Sequence, residues 1–429
     1  MRSIASWMPG LVVLAVSTVF AADSSLSKAL SADGDHSYPY LTTPCRVTLL
    51  SANDGEIRFL HTRDGTRQEP VPDSITVIRL GPDHPPVSKT IAGTVPSTIY
   101  GAPHIVISAD GRFGFVTNHS WRYQSAATQQ QPPAEHLPNL LTVIDLAADD
   151  LSVLDQVKLP AEPWMVDLHP DGQKVIVAVG AGFHVYSVET GRVKLASEAK
   201  APNRVTSFDV SPRGDRIVCV TVQFDGVASG EPHSNPEFHL FSLSGDRINH
   251  LHRINAVDDA APIERLFSPR ISPDGKRAIV LQDWGIGGKG TRDDVLIADL
   301  EREVPAITER VRQVADGLEG LAFHPSGRFA VISCLEKGAD VVTTSHLAVI
   351  DLATRPARLV SHIPIEPIPE GIEFTPDGSK LFVGTTLANH IVVFDVDGFM
   401  LGRSPFVLPT GHAPSALALW SEHVAPGTR

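Results

Sequence analysis

Glu319 and Glu370 hold the same place in two related phrases, Leu318-Glu319-Gly320-Leu321-Ala322-Phe323 and Pro369-Glu370-Gly371-Ile372-Glu373-Phe374. Carboxylates at matching positions of a repeat can work as acid and base, or hold a divalent cation, if folding sets the copies side by side. His104, in the earlier copy Pro103-His104-Ile105-Val106-Ile107, adds an imidazole one place further along. The expected catalytic set is therefore His104, Glu319 and Glu370. A simpler reading is that these charges are only solvated, and no fixed His/Glu spacing decides for a metal, so the cofactor stays unknown with a divalent metal as one option.

Candidate ligand contacts lie mostly in segments between strands, where binding residues concentrate. His119, Trp121, Arg122 and Tyr123 put two aromatics beside a guanidinium, a stacking surface for a sugar, a quinone or a peptide ring. Trp284 precedes a run containing Gly285, Gly287 and Gly288 that lacks the Lys-Ser/Thr ending of a phosphate loop. Trp164 takes the place of Glu319 in another copy, His390 is expected at the end of a hairpin strand, and Arg265 flanks a strand with Arg270. The two arginines could clamp an anion, or pair with carboxylates of the fold. Asp167, Asp209 and Glu373 recur four residues before their turns and are expected to bond between neighbouring units rather than to catalyse.

Six copies of one element must position these residues. Each is an apolar strand, a Pro/Asp-Gly turn and a second apolar strand, and the turns close on Gly111, Gly172, Gly214, Gly275, Gly327 and Gly378. Intervals of 61, 42, 61, 52 and 51 residues show a constant unit with variable insertions. Glycine suits a hairpin turn that needs positive φ, and an Asp before it can bond the turn backbone. A third strand ending in an acidic residue follows most turns, as in Leu141-Thr142-Val143-Ile144-Asp145, and a fourth has room. Such a meander exposes two apolar faces, and radial stacking buries both. The C-terminal strand Ala413–Trp420 has no hairpin, while Cys45–Leu50, Glu56–His61 and Ser74–Leu80 are unclaimed strands at the other end. The expected fold is all-β, a seven-bladed β-propeller over 41–421 closed by one C-terminal strand and N-terminal strands in the same blade. Closure also removes exposed sheet edges.

The phrases Gly114-Phe115-Val116-Thr117-Asn118 and Leu381-Phe382-Val383-Gly384, each running on to an apolar strand ending in Asp, resemble the YVTN-type propeller repeat. In fold the chain is similar to the lactonase-like propellers, a group with the 6-phosphogluconolactonases, the methylamine dehydrogenase heavy chain and the cytochrome d1 propeller. The resemblance covers nearly all of the chain after residue 40. It implies either a hydrolase of a lactone or ester at the channel mouth, or a structural subunit of a quinoprotein dehydrogenase.

Other features bound the partners and the compartment. Arg2 and the apolar run Leu11–Phe20, about half a membrane span, read as a signal peptide over 1–22. Residues 23–40 then form a flexible mature start and 422–429 a tail, and the protein is expected in the periplasm or secreted. A net charge of −13 argues against nucleic acid as partner, and no later stretch is apolar enough to span a membrane. Three cysteines cannot frame the fold; Cys219 and Cys334 read as buried thiols, and Cys45 is left open. The absence of C-x-x-C-H argues against covalent c-type haem, and no G-x-S-x-G, H-E-x-x-H or dinucleotide fingerprint occurs. The main expectation is an exported monomer that binds a small molecule or protein partner, unless it is part of a dehydrogenase complex in an envelope redox system.

Overall fold

In the computed structural model the described residues are 40–422, without 56–70, 94–104, 119–137, 149, 224–233, 257–264, 284–292 and 337–344. The signal-peptide expectation, the 23–39 segment, the tail beyond residue 422 and the strand expected at Glu56–His61 lie outside them.

Among the described residues, twenty-eight strands form seven four-stranded antiparallel sheets. Blade one holds β4–β7 and blade two β8–β11; blades three to six continue with β12–β15, β16–β19, β20–β23 and β24–β27. The closing blade has the order β28-β1-β2-β3 and joins Pro414–Ser421 to Val47–Asn53, Ser74–Leu80 and Val87–Ala92. The expected closure is therefore present, with Val87–Ala92 as its outermost strand. The inner strands are β28, β4 (Ile105–Ile107), β8 (Pro163–Leu168), β12 (Arg204–Val210), β16 (Arg265–Ile271), β20 (Leu318–Phe323) and β24 (Pro369–Phe374). Each touches the next, and β24 touches β28, so the ring is closed.

Seven apolar clusters fill the seven blade junctions, which is why no blade is stable as an isolated meander. Between blades two and three, Phe183 meets Phe208 and Phe241 edge-on at 5.4 Å each. Between blade six and the closing blade, Phe382, Ile391 and Val393 pack on Leu49 and Ile78. Cys219 and Cys334 are fully buried thiols in these cores.

The repeated turns are built as their residues imply. All six closing glycines have φ between 67° and 75°, and the Asp110, Asp171, Asp274 and Asp377 carboxylates each accept from the backbone two residues on. Side chains also tie several turns to their neighbours. His169 Nε2 donates to the Gly214 carbonyl (3.0 Å), His324 Nε2 to that of Gly378 (3.2 Å) and Trp420 Nε1 to that of Ala109 (2.9 Å).

Antiparallel alternation gives the ring two unlike ends. The Asp-Gly turns and the third-to-fourth-strand turns mark one, called the turn face. The other, the loop face, receives the second-to-third-strand links and the crossings between blades. Seven of the longer links, those containing 56–70, 94–104, 119–137, 224–233, 257–264, 284–292 and 337–344, all join strand ends on the loop face. Among the described residues no helix is long and apolar enough to cross a membrane.

Candidate active site at the loop face

Inner strands carry a bulge just after they enter from the loop face. In β8 Trp164 is the extra residue between the pairs Pro163–Val179 and Met165–Ala178, and in β12 Thr206 lies between Val205–Thr221 and Ser207–Val220. Glu319-Gly320 oppose the single residue Ser333, Glu370-Gly371 oppose Gly384, and Ser415 is the extra residue in β28. A bulge re-aims the side chain it carries, and Trp164, Thr206, Glu319, Glu370 and Ser415 hold equivalent bulge positions near the loop-face ends of their inner strands. Blade four departs from the expected alignment. Its bulge falls on Ser268 and Pro269, one place beyond Phe267, and Ser268 takes φ +47° there.

Glycine brings the two glutamate strands together. A Cβ on Gly320 would stand 2.1 Å from the Glu370 carbonyl oxygen, and one on Gly371 2.6 Å from the Leu417 amide nitrogen. Backbone thus runs against backbone from β20 through β24 to β28. Glu370 is 3% exposed, whereas Glu319 is half-buried and open to water. The arrangement offers one enclosed and one accessible carboxyl on touching strands. Such a pair can move protons to and from a bound molecule.

Between blades two and three, the Arg204 guanidinium lies over the Trp164 ring, 5.1 Å from its centroid, and forms an ion pair with Glu162. Burial lowers the Arg204 pKa to about 10. Arg265 opens β16 on the same face and is half-buried. His390 does not end a second strand as expected but opens the third strand of blade six, His390–Asp397, because Asn389 (φ +58°) completes the preceding turn. Its Nε2 is 3.5 Å from Glu366 Oε1. Although burial pushes the Glu366 carboxyl up, His390 and Arg403 hold it at about 2, so His390 serves an ion cluster at the junction of blades five and six. His104, His119, Trp121, Arg122, Tyr123 and Trp284 lie outside the described residues.

Nearer the turn face, a second polar group ties the inner strands of neighbouring blades together. Asp167 accepts from the Val210 amide (2.9 Å) and Asp209 from the Ile271 amide (2.7 Å), each across a blade junction. Arg270 donates to Asp209 at 3.0 Å and to the Leu321 carbonyl at 3.4 Å, and so spans blades three, four and five. Burial lifts the Asp209 carboxyl to about 6 even against Arg270, with Asp167 adding to the rise. Burial opposes the Arg270 charge, but Asp209, Glu373 and Asp167 outweigh it and raise its pKa.

Two further features lay outside the sequence reading. On the outer strands Ser234–Ser244 and Arg247–Ile254 of blade three, His239 links Glu237 (3.3 Å) to His250 (3.1 Å), and Asn203 braces Glu237. Burial lowers His239 to about 4 against the pull of Glu237. A groove of about 860 Å³ lies on the turn face between blade six and the closing blade, lined by residues such as Thr42, Pro44, Lys380, Asp397 and Met400. It is remote from Glu319 and Glu370. Among the described residues no three His, Cys, Asp or Glu side chains converge on a metal position.

No family model matches the sequence, and no curated protein matches it. Solved structures do. A putative 6-phosphogluconolactonase from Bacteroides fragilis aligns over 89% of this chain and 99% of its own, at 15% identity and a TM-score of 0.60. The chain has the lactonase-type seven-bladed propeller fold. The periplasmic gluconolactonase of Pseudomonas aeruginosa aligns over 89% of this propeller and 99% of its own chain (16% identity, TM-score 0.57). Hydrazine synthase from Kuenenia stuttgartiensis covers 77% of it and 95% of its own chain (17% identity, TM-score 0.55). At these identities the likeness is one of fold.

Proposed function

We propose that this propeller is an exported hydrolase of a small uncharged lactone or ester, with Glu319 and Glu370 as its acid–base pair. The observation that carries the reading is the enclosed Glu370 beside the accessible Glu319 on touching strands, at the face that receives the long links. Opening a lactone needs a proton taken from the attacking water and one given to the departing ring oxygen. Glu319, which water reaches, takes the first, and Glu370 delivers the second. His104, which immediately precedes β4 in the sequence, would face the pair, and Trp164 would border the bound ring. The gluconolactonase and putative 6-phosphogluconolactonase likenesses support this chemistry over the binding-only and dehydrogenase-subunit readings.

Charge selects the substrate. The proposed site contributes the Glu319 carboxylate, Arg204 is already matched by Glu162, and the seven longer loop-face segments carry ten acidic against seven basic residues. A phosphate charge about 6 Å from a carboxylate is repelled by roughly 3 kcal/mol at an effective dielectric of about 20. The purified protein should therefore hydrolyse glucono-1,5-lactone with a kcat/KM about 100-fold above that for the 6-phosphate. Hydrolysis of neither would remove the hydrolase reading in favour of ligand binding without turnover; preference for the phosphate would remove the charge argument alone.

A further inference from the structure

The residue two places before each of Glu319, Glu370 and Ser415 is left-handed: Gly317 has φ +73°, Ile368 +60° and Ala413 +56°. Isoleucine rarely adopts this conformation, because its branched Cβ crowds the backbone, so something outside the segment must hold it. In all three cases the holder is a polar side chain at, or immediately before, the first residue of the third strand of the preceding blade. The Gly317 amide donates to Asp293 Oδ2 at 2.7 Å, the Ile368 amide to Ser345 Oγ at 3.2 Å and the Ala413 amide to Asn389 Oδ1 at 2.9 Å. The carbonyls of the same residues are held too, by the amides of Leu335 (2.8 Å), Thr386 (2.9 Å) and Asp54 (2.8 Å). Asp293 and Ser345 are each about 1% exposed.

The first two clamps form one thread. Asp293 holds Gly317, the Gly317 carbonyl holds the Leu335 amide, and the Leu335 carbonyl accepts from the Ser345 hydroxyl at 3.2 Å, whose oxygen holds Ile368. Hydrogen bonds therefore run continuously from the strand entry of one glutamate to that of the other.

We propose that Asp293 and Ser345 are positioning residues for the Glu319/Glu370 pair, fixing the left-handed turns that feed both carboxylates into their bulges. The proposal rests on the hydrolase reading for its catalytic consequence, though not for the clamp itself. A displacement of about 1 Å in a reacting group costs on the order of 100-fold in rate. Asp293→Ala and Ser345→Ala should lower kcat on glucono-1,5-lactone about 10- to 100-fold with KM changed less than about threefold. Asp293→Asn, which keeps an acceptor oxygen, should stay within about threefold of the parent. Hydrogen exchange followed by mass spectrometry adds a readout independent of turnover: peptides containing Gly317 or Ile368 should lose protection in the matching alanine variant while those of blades one and two do not. Unchanged kcat in both folded alanine variants, or Asp293→Asn as impaired as Asp293→Ala, would overturn the catalytic role. Unchanged exchange at both peptides would overturn the clamp. A parent protein inert toward the lactone would sink the hydrolase reading and leave the clamp to be decided by exchange.

Discussion

Gly320→Ala probes the contact on which the glutamate pair depends. The added methyl would lie 2.1 Å from the Glu370 carbonyl oxygen, 2.9 Å from Ile372 Cγ2 and 3.0 Å from Ser333 Oγ, whereas ordinary contact begins near 3.4 Å. Strands β20 and β24 would have to part by about 1.3 Å, and the obstacle is backbone in a closed ring, not the tip of a flexible side chain. Overpacking of this kind costs about 3 kcal/mol, the upper part of its usual range. Gly275→Ala is the matched control. Its Cβ meets nothing within 4 Å, so only the left-handed φ of +75° resists, at about 1–2 kcal/mol. Equilibrium denaturation in urea, with lactone hydrolysis measured alongside, separates the two. Gly320→Ala should lose about 3 kcal/mol and most of its kcat; Gly275→Ala should lose less than about 2 kcal/mol and keep its kcat. Less than about 0.5 kcal/mol lost in Gly320→Ala, with normal turnover, would show that the strands do not meet as described.

Asp209→Ala should destabilise by about 3 kcal/mol, because it strands the Arg270 charge in the channel and removes the acceptor of the Ile271 amide; pairing it with Arg270→Met should recover part of the loss, and a double-mutant cycle without coupling would contradict the bond. His239, 2% exposed, has its pKa lowered from 6.5 to about 4, so the folded state resists the proton that the unfolded chain accepts. Its stabilising contribution is full above pH 6.5 and falls by up to roughly 3 kcal/mol as the pH drops to 4. Denaturation at a series of pH values should show that fall in the parent and a shallower one in His239→Gln; parallel curves would refute it.

What could be read from the residues alone was what repeats locally. A Pro/Asp-Gly turn announces itself within four residues, so six hairpins, the ring and its closure from both chain ends were legible. Asp167 and Asp209 were legible as junction bonds because they recur at one offset from those turns. The outer strand Val87–Ala92 was not, since an edge strand with mostly exposed side chains shows no apolar face. The shifted bulge of blade four followed Ser268-Pro269, which an alignment anchored on the turn passes over. The turn-to-turn bonds of His169 and His324 were not legible either, because their partners sit 45 and 54 positions away in the next blade. The clamps at Gly317 and Ile368 were invisible for the same reason: a hydrogen bond between residues 24 or 23 positions apart leaves no periodic trace. For the site, Glu319 and Glu370 stood out because they hold the same place in two copies of the repeat, and the structure shows why a glycine follows each.

The most direct test of the central claim is the initial rate of glucono-1,5-lactone hydrolysis by Glu370→Gln, a change that keeps the size of the side chain and removes its proton transfer. The acid–base account predicts kcat lowered by at least about 100-fold, with the fold intact by circular dichroism. A variant that turns over as fast as the parent would contradict it.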